Sequence, residues 1–249
     1  DDLSYYQLLL MVGEREFQCA VFDNRGKRCL LLEDYQLAKQ IENQNFEDNL
    51  YELFEDHHLL MAGFWKSVKL SVKNQKFSLV PYPVFQKDKL NYFLRFCDLS
   101  DSTYQGYDYY RHVKSDAVMT FAAKENFLKR IQSIYPYHTV QLLHQGSAFV
   151  EGIKYYNDFT QGRDLFLMVG RNDLCMVVTE KGYMIYFNRF IYKGPEDILK
   201  YTLMVMKALD LSQTQTKVQI WGNLDAGSPI FNTLYQYIRN LSYGSRIPS

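Results

Sequence analysis

The constraint that narrows this chain most is a repeat of its own opening. Leu165-Phe166-Leu167-Met168-Val169-Gly170 restates Leu8-Leu9-Leu10-Met11-Val12-Gly13 with five of six residues identical. Phe17 then aligns with Leu174, Cys19-Ala20-Val21 with Met176-Val177-Val178, and the turn glycine Gly26 with Gly182 after a one-residue deletion. A pattern of strands and turns written twice calls for two copies of one plan. A chain of 249 residues, 47 % of them hydrophobic, has enough material for two cores.

In the first copy, Leu8 to Val12 is an unbroken apolar run, as expected of a strand buried on both faces. Gly13-Glu14-Arg15-Glu16 turns it, Phe17 to Phe22 returns, Asp23-Asn24-Arg25-Gly26 signals a hairpin, and Lys27 to Leu32 gives a third strand. Glu33 to Gln44 is polar with helical character. Asn45 then offers an N-cap, Glu47 and Asp48 suit the positive end of a helix dipole, and Leu50, Phe54, His57, Leu60 and Met61 follow at helical spacing. Val68 to Val72 alternates as a strand, and Lys73 to Lys76 reads as a tight polar turn.

The second copy repeats the order. Leu165 to Val169, Leu174 to Thr179 and Tyr183 to Phe190 form its meander, and Pro195-Glu196-Asp197 opens a helix with Leu199, Leu203, Met206 and Leu209 along one face. Val218 to Trp221 is the fourth strand, and Ser228-Pro229 starts a last helix carrying Ile230, Leu234, Ile238 and Leu241. Between the copies, Phe77 to Val80, Tyr107 to Val113, Ala117 to Ala122 and Thr139 to Leu143 read as strands. Lys87 to Cys97, Glu125 to Ile134 and Ser147 to Tyr155 read as helices, and Asp98 to Gly106 as a polar loop. The last two strand-helix pairs are expected to complete a mixed sheet for the first half. The domains fall at 1–158, with an inserted segment at about 75–115, and at 159–249.

Charge and composition remove several function classes. With 28 basic and 28 acidic side chains the net charge is zero, so no field of one sign draws in nucleic acid or an anionic membrane. Apolar runs fall far short of the roughly 20 residues that cross a bilayer, and Asp1-Asp2 does not open a signal peptide. A cytoplasmic chain without membrane insertion is expected. Cys19, Cys29, Cys97 and Cys175 lack the close spacing of zinc ribbons or redox dithiols and read as reduced core residues. A Cys19–Cys29 disulfide across the hairpin stays geometrically open. The 21 tyrosines suit strand surfaces, interfaces and partly wet grooves.

Catalytic motifs are missing. The chain has no GxSxG, no Walker-type loop and no glycine run for dinucleotides. His57 and His58, read as helical neighbours, point about 100° apart and cannot share a metal. His112, His138 and His144 have no cysteine or carboxylate at ligand spacing beside them, so no metal is expected.

A duplicated βββαβα plan with material inserted in the first copy resembles the actin-like fold, in which two ribonuclease-H-like domains flank a cleft. The segments FSLVP (Phe77 to Pro81), VMTFAAKENFL (Val118 to Leu128) and SPIFNTLYQYIRN (Ser228 to Asn240) look like a bacterial family of unknown function with that fold. The resemblance implies an α/β protein with mixed sheets flanked by helices. It also implies where a site would lie. Actin-like ATPases carry an Asp then Gly at the end of the first strand of each copy, where the carboxylate holds hydrated metal and the glycine lets amides reach phosphate. Here Val12-Gly13 and Val169-Gly170 stand at those positions. The glycines are kept and the carboxylates are gone. Nuclease activity would need a carboxylate within the first strand, and neither Leu8 to Val12 nor Leu165 to Val169 has one.

The cleft candidates carried over are therefore Gly13, Glu14 and Arg15 in the first hairpin, Gly170, Arg171 and Asn172 in the second, and Asn223, Asp225, Gly227 and Ser228 in the loop before the last helix. Free amides beside Arg15 and Arg171 would favour a carboxylate or phosphate, whereas the bland reading of these residues, and of Asp173, is solvated turn. The reading that follows is a non-catalytic binding or scaffold module with degenerate nucleotide motifs, no cofactor and another protein as partner. The alternative is an ATPase holding ATP and Mg through non-standard phosphate loops.

Overall fold

A computed structural model describes residues 5–36, 46–97, 101–222, 224–225 and 227–245. The expected helical stretch beyond Gln36, the N-cap Asn45, the opening of the loop at Asp98 and the candidate Asn223 lie outside those residues. Compact packing divides the chain into two units, one from Asp1–His112 and Asp116–Ser147, the other from Val113–Ser115 and Ala148–Ile247. Ser115 belongs to the second, where its hydroxyl accepts the Met184 amide at 2.9 Å.

The first unit opens with β1 (Tyr6–Val12), β2 (Glu16–Asp23) and β3 (Arg28–Gln36), followed by helix α1 (Phe46–Asp56) and β4 (Ser67–Val72). After β5 (Phe77–Pro81) and the single turn α2 (Leu90–Phe93) come β6 (Gly106–His112), β7 (Ala117–Ala123), α3 (Glu125–Ile134) and β8 (Gln141–His144); α4 (Gln145–Tyr156) follows and belongs to the second unit from Ala148 on. The main sheet of the first unit has the order β3-β2-β1-β4-β8. The second unit has β9 (Arg163–Val169), β10 (Asp173–Glu180), β11 (Tyr183–Ile191), α5 (Pro195–Ala208), β12 (Lys217–Gly222), α6 (Pro229–Tyr235) and β13 (Leu241–Tyr243), with sheet order β11-β10-β9-β12-β13. The two orders are the same.

The equivalence holds residue by residue. Leu10 lies opposite Cys19 on one side and Leu70 on the other, and Leu167 opposite Met176 and Ile220. The outer hairpin of each copy slips register after the same position, Val21 in one and Val178 in the other. In the first unit, Leu50 and Phe54 of α1 and Phe127 and Ile131 of α3 bury against Leu8, Leu10, Val68 and Leu70. In the second, Ile198, Val205 and Met206 of α5 and Leu234 of α6 bury against Leu165, Leu167, Val218 and Ile220. Mixed sheets flanked by helices are what the family resemblance implies.

Several expectations are corrected. β1 buries only one face fully, at Leu8 and Leu10, whereas β9 is buried from Asp164 to Leu167. Glu33 to Gln36 extend β3, because pairing with β2 as far as Glu16 outweighs their polar character. α1 ends at Asp56, so Met61, placed on its apolar face, is 47 % exposed. The buried face of α5 is Ile198, Thr202, Val205 and Met206, so of the expected stripe Met206 is buried while Leu199, Leu203 and Leu209 are partly buried beside it. β7 leaves the main sheet and forms a separate one, β5-β7-β6. Leu241 begins a strand, paired in parallel with β12, instead of continuing the last helix. All four cysteines are free: Cys29 is exposed and lies opposite Phe22, and Cys19 lies opposite Glu33, so the two do not face each other.

Candidate functional site

The hairpin after each first strand is built alike. The Gly13 amide donates to the Glu16 carbonyl at 2.9 Å and the Gly170 amide to the Asp173 carbonyl at 2.8 Å. Glu16 and Asp173 are thus the same position in the two copies, and both are buried. In the first copy the Glu16 side chain folds back over the turn. A Cβ added to Gly13 would meet Glu16 Cγ at 2.8 Å and Oε1 at 3.0 Å, so glycine there makes room for the chain's own carboxylate.

The cation for Glu16 is Lys73, which follows β4. Its amide donates to the Val12 carbonyl at 2.8 Å, which ties it to the end of β1, and its Nζ lies 2.6 Å from Glu16 Oε1. Lys73 and Asn74, read as part of a tight polar turn, are both buried. Asn74 is held through its amide to the Ala122 carbonyl at 3.0 Å, and its own carbonyl accepts from His144 Nε2 at 3.1 Å. Lys73 and Asn74 line a cavity of about 130 Å³ that also takes in Gly13, Glu14, Glu47, Tyr104 and Lys124. Lys124 Nζ bonds Glu47 Oε1 at 2.9 Å. Burial works against the charge on Lys124, yet the hydrogen bond and charge of Glu47, with Tyr104 and Asp101, outweigh it and raise its pKa. Both lysines at the cavity are therefore already held by carboxylates.

In the second copy Arg189 of β11 takes the part of Lys73. Its Nε lies 3.0 Å from Asp173 Oδ2, with both side chains almost wholly buried. Asp173 is no solvated turn residue. The Tyr192 hydroxyl and amide donate to the carbonyls of Gly170 and Asn172 at 2.7 and 3.0 Å and pin the turn. Beside it Gly222, at φ +141°, brings its Cα so near β9 that a Cβ would sit 2.3 Å from the Val169 carbonyl oxygen.

The sequence candidates are thus distributed unevenly. Gly13 and Glu14 line the first-unit cavity, while Arg15, Arg171 and Asn172 are exposed at their turns. Asp225 is exposed; its carbonyl accepts the Ser228 amide at 2.9 Å and the Tyr243 hydroxyl at 3.2 Å. Gly227 takes φ +89°, and Ser228 is the N-cap of α6 without a side-chain capping bond. The residues missed were Glu16, Lys73, Asn74, Lys124 and Arg189. One signal was available for Glu16: it and Asp173 are carboxylates at matched places in the repeat.

A family described as a protein of unknown function, DUF3822, matches residues 1–241. The chain belongs to this family. No curated protein matches it. Among solved structures, a Bacteroides thetaiotaomicron protein with an actin-like ATPase fold and unknown function superposes with a TM-score of 0.84 at 16 % identity, over 97 % of this chain and 91 % of that one. The PilM–PilN type IV pilus biogenesis complex gives a TM-score of 0.60 at 10 % identity, over 95 % and 87 %. The cytoplasmic domain of EpsL, an inner-membrane component of the type II secretion system of Vibrio cholerae, gives 0.50 at 8 %, over 96 % and 97 %. At such identities the likeness shows the fold, and the fold is actin-like. Among the described residues no helix is long and apolar enough to cross a membrane.

Proposed function

We propose that this actin-like chain is a non-catalytic binding module whose phosphate positions have been closed by internal ion pairs, and that its partner is another protein. The observation that carries this is the Glu16 carboxylate lying over Gly13 on Lys73, with its counterpart Asp173 on Arg189. A phosphate approaching the first hairpin would meet a carboxylate already seated, and the nearest ammoniums neutralised. Like charge in a buried site repels it. The strand-end carboxylates that would hold a metal in an ATPase are valines here.

Protein binding is the use of this fold that the PilM–PilN and EpsL likenesses favour, since both are named as parts of larger assemblies. We assign the exposed turn residues, Arg15 in the first unit and Arg171 and Asn172 in the second, each as a separate contact for acidic side chains of that partner.

Thermal denaturation with ATP and magnesium tests the closure. A nucleotide at about 100 times its dissociation constant would add about 2.7 kcal/mol of stability. No rise in melting temperature at millimolar nucleotide is expected, and a clear rise would favour the ATPase reading. Affinity capture from the native cell tests the positive half, with an Arg15→Ala/Arg171→Ala chain as control. The partner should be retained by the wild type and lost by the folded variant, and equal capture by both would move the binding surface away from the turns.

A further inference from the structure

Away from the hairpins, three residues that could bind a metal meet on the core side of the first sheet. Cys19 on β2 lies opposite Glu33 on β3, and His57 follows the last turn of α1. Their ligand atoms all lie within 4.8 Å of one another. His57 Nε2 is 2.8 Å from Glu33 Oε2, and Cys19 Sγ is 3.4 Å from the same oxygen. The ligand atoms of a tetrahedral zinc ion, at bonds of about 2.0–2.3 Å, stand roughly 3.3–3.7 Å apart. Small side-chain adjustments would bring these three to that spacing.

A second observation points the same way. The Tyr35 hydroxyl also donates to Glu33 Oε2, at 2.8 Å, so a thiol, an imidazole and a phenol all converge on one oxygen. A carboxylate oxygen has only about two lone-pair directions, and three donors crowd it. An ion seated between sulfur, nitrogen and oxygen relieves that crowding and leaves Tyr35 to orient the carboxylate from outside.

We propose that Cys19, Glu33 and His57 form a three-ligand site for a zinc-class divalent ion, with the fourth position open to water. Mixed sulfur, nitrogen and oxygen ligation suits a borderline ion and not calcium or magnesium. The charges balance as well. Thiolate and carboxylate supply two negative charges against the ion's two positive ones, and the imidazole is neutral, so a largely buried site keeps no net charge. Binding removes the proton from the Cys19 thiol to water. It also moves the imidazole proton from Nε2 to Nδ1, where it displaces only a long contact: the Leu60 amide reaches Nδ1 at 3.4 Å but the His57 carbonyl at 3.0 Å. Access comes from the rim, where the Glu33 side chain is 31 % exposed and that of His57 13 %. Without the ion, burial first and then Glu33 push the Cys19 thiol up to about 12, so it stays protonated and uptake releases a proton.

The expectation that His57 and His58 diverge on a helix fails for the same structural reason that makes the site. With α1 ended at Asp56, the two rings stack at 5.5 Å and 6°, and His57 turns toward β3.

Cobalt titration of the full chain decides the proposal. One equivalent of cobalt(II) should give the strong visible absorption of a four-coordinate ion and a near-ultraviolet thiolate-to-cobalt band, both bleached by zinc. Cys19→Ser should abolish the thiolate band, His57→Gln should weaken cobalt binding about tenfold or more, and Cys29→Ser should change nothing. No thiolate band in the wild type overturns the site, as does a band that survives Cys19→Ser or one that disappears with the exposed Cys29. Should Cys19→Ser fail to fold by circular dichroism, the rim variant His57→Gln decides alone, and unchanged affinity refutes the site.

Discussion

Glu16 and Asp173 occupy one position in the two hairpins, yet their cations arrive from different elements, Lys73 from the end of β4 and Arg189 from within β11. Convergence on a paired buried carboxylate by two routes suggests that closing the turn matters more than how it is closed. Such a pair gains little over an apolar substitute, because desolvating both charges offsets their attraction, but losing one partner strands the other. Glu16→Gln should therefore cost about 3–5 kcal/mol in urea unfolding, while Glu16→Leu combined with Lys73→Met should recover most of that loss. If single and double variants are equally unstable, packing and not charge is what the pair supplies. A second residue-scale prediction concerns Glu33 in the metal-free chain. The Tyr35 hydroxyl above all, with His57 and Cys19, holds its carboxyl below the ordinary 4.5 despite partial burial. A lowered folded pKa contributes stability that is present above the ordinary value and is lost as pH falls through the folded one. Tyr35→Phe should raise the Glu33 pKa toward 4.5 in an NMR titration and shrink that acid-side loss. An unmoved pKa would show that Tyr35 does not control the carboxylate.

At the scale of elements, the repeat fixes what can be tested about β1 and β9. Both are central strands, and Leu10 and Leu167 are each buried between an antiparallel and a parallel neighbour. Leu10→Ala and Leu167→Ala should each cost roughly 2–5 kcal/mol, and a near-neutral result at either would break the equivalence. These elements were legible because local pattern and tertiary role agree: apolar runs, turn glycines and Pro at the start of α5 all carry their structure with them. The parts that were not legible depend on distant partners. Glu33 to Gln36 look helical by composition and become strand only because β2 is there to pair with them. β7 has the same apolar signature whether it joins the main sheet or pairs with β5 and β6, and nothing in Ala117 to Ala123 selects the partner. Lys73 and Asn74 read only as a polar turn until Glu16 and the Ala122 carbonyl are placed beside them. The candidate site shares this limit, since its glycines are visible as letters while the carboxylate filling the space above Gly13 is visible only in three dimensions.

At the scale of the molecule, the two cores are the units on which stability acts. The cluster around Leu10, Phe54 and Leu70 and the cluster around Leu167, Val205 and Ile220 have no member in common. Domains with separate cores are expected to open as separate cooperative units, each with its own free energy. The sequence happens to supply one tryptophan to each: Trp65, buried in the first core, and Trp221, on β12 against Phe166. Trp65→Phe and Trp221→Phe chains would then each report unfolding of a single unit by fluorescence. Introducing Leu167→Ala should lower the denaturant midpoint seen by Trp221 and leave that seen by Trp65 within error, and Leu10→Ala should do the reverse. If either substitution moves both midpoints together, the chain unfolds as one cooperative unit. In that case the repeat would describe its ancestry of form but not its energetics.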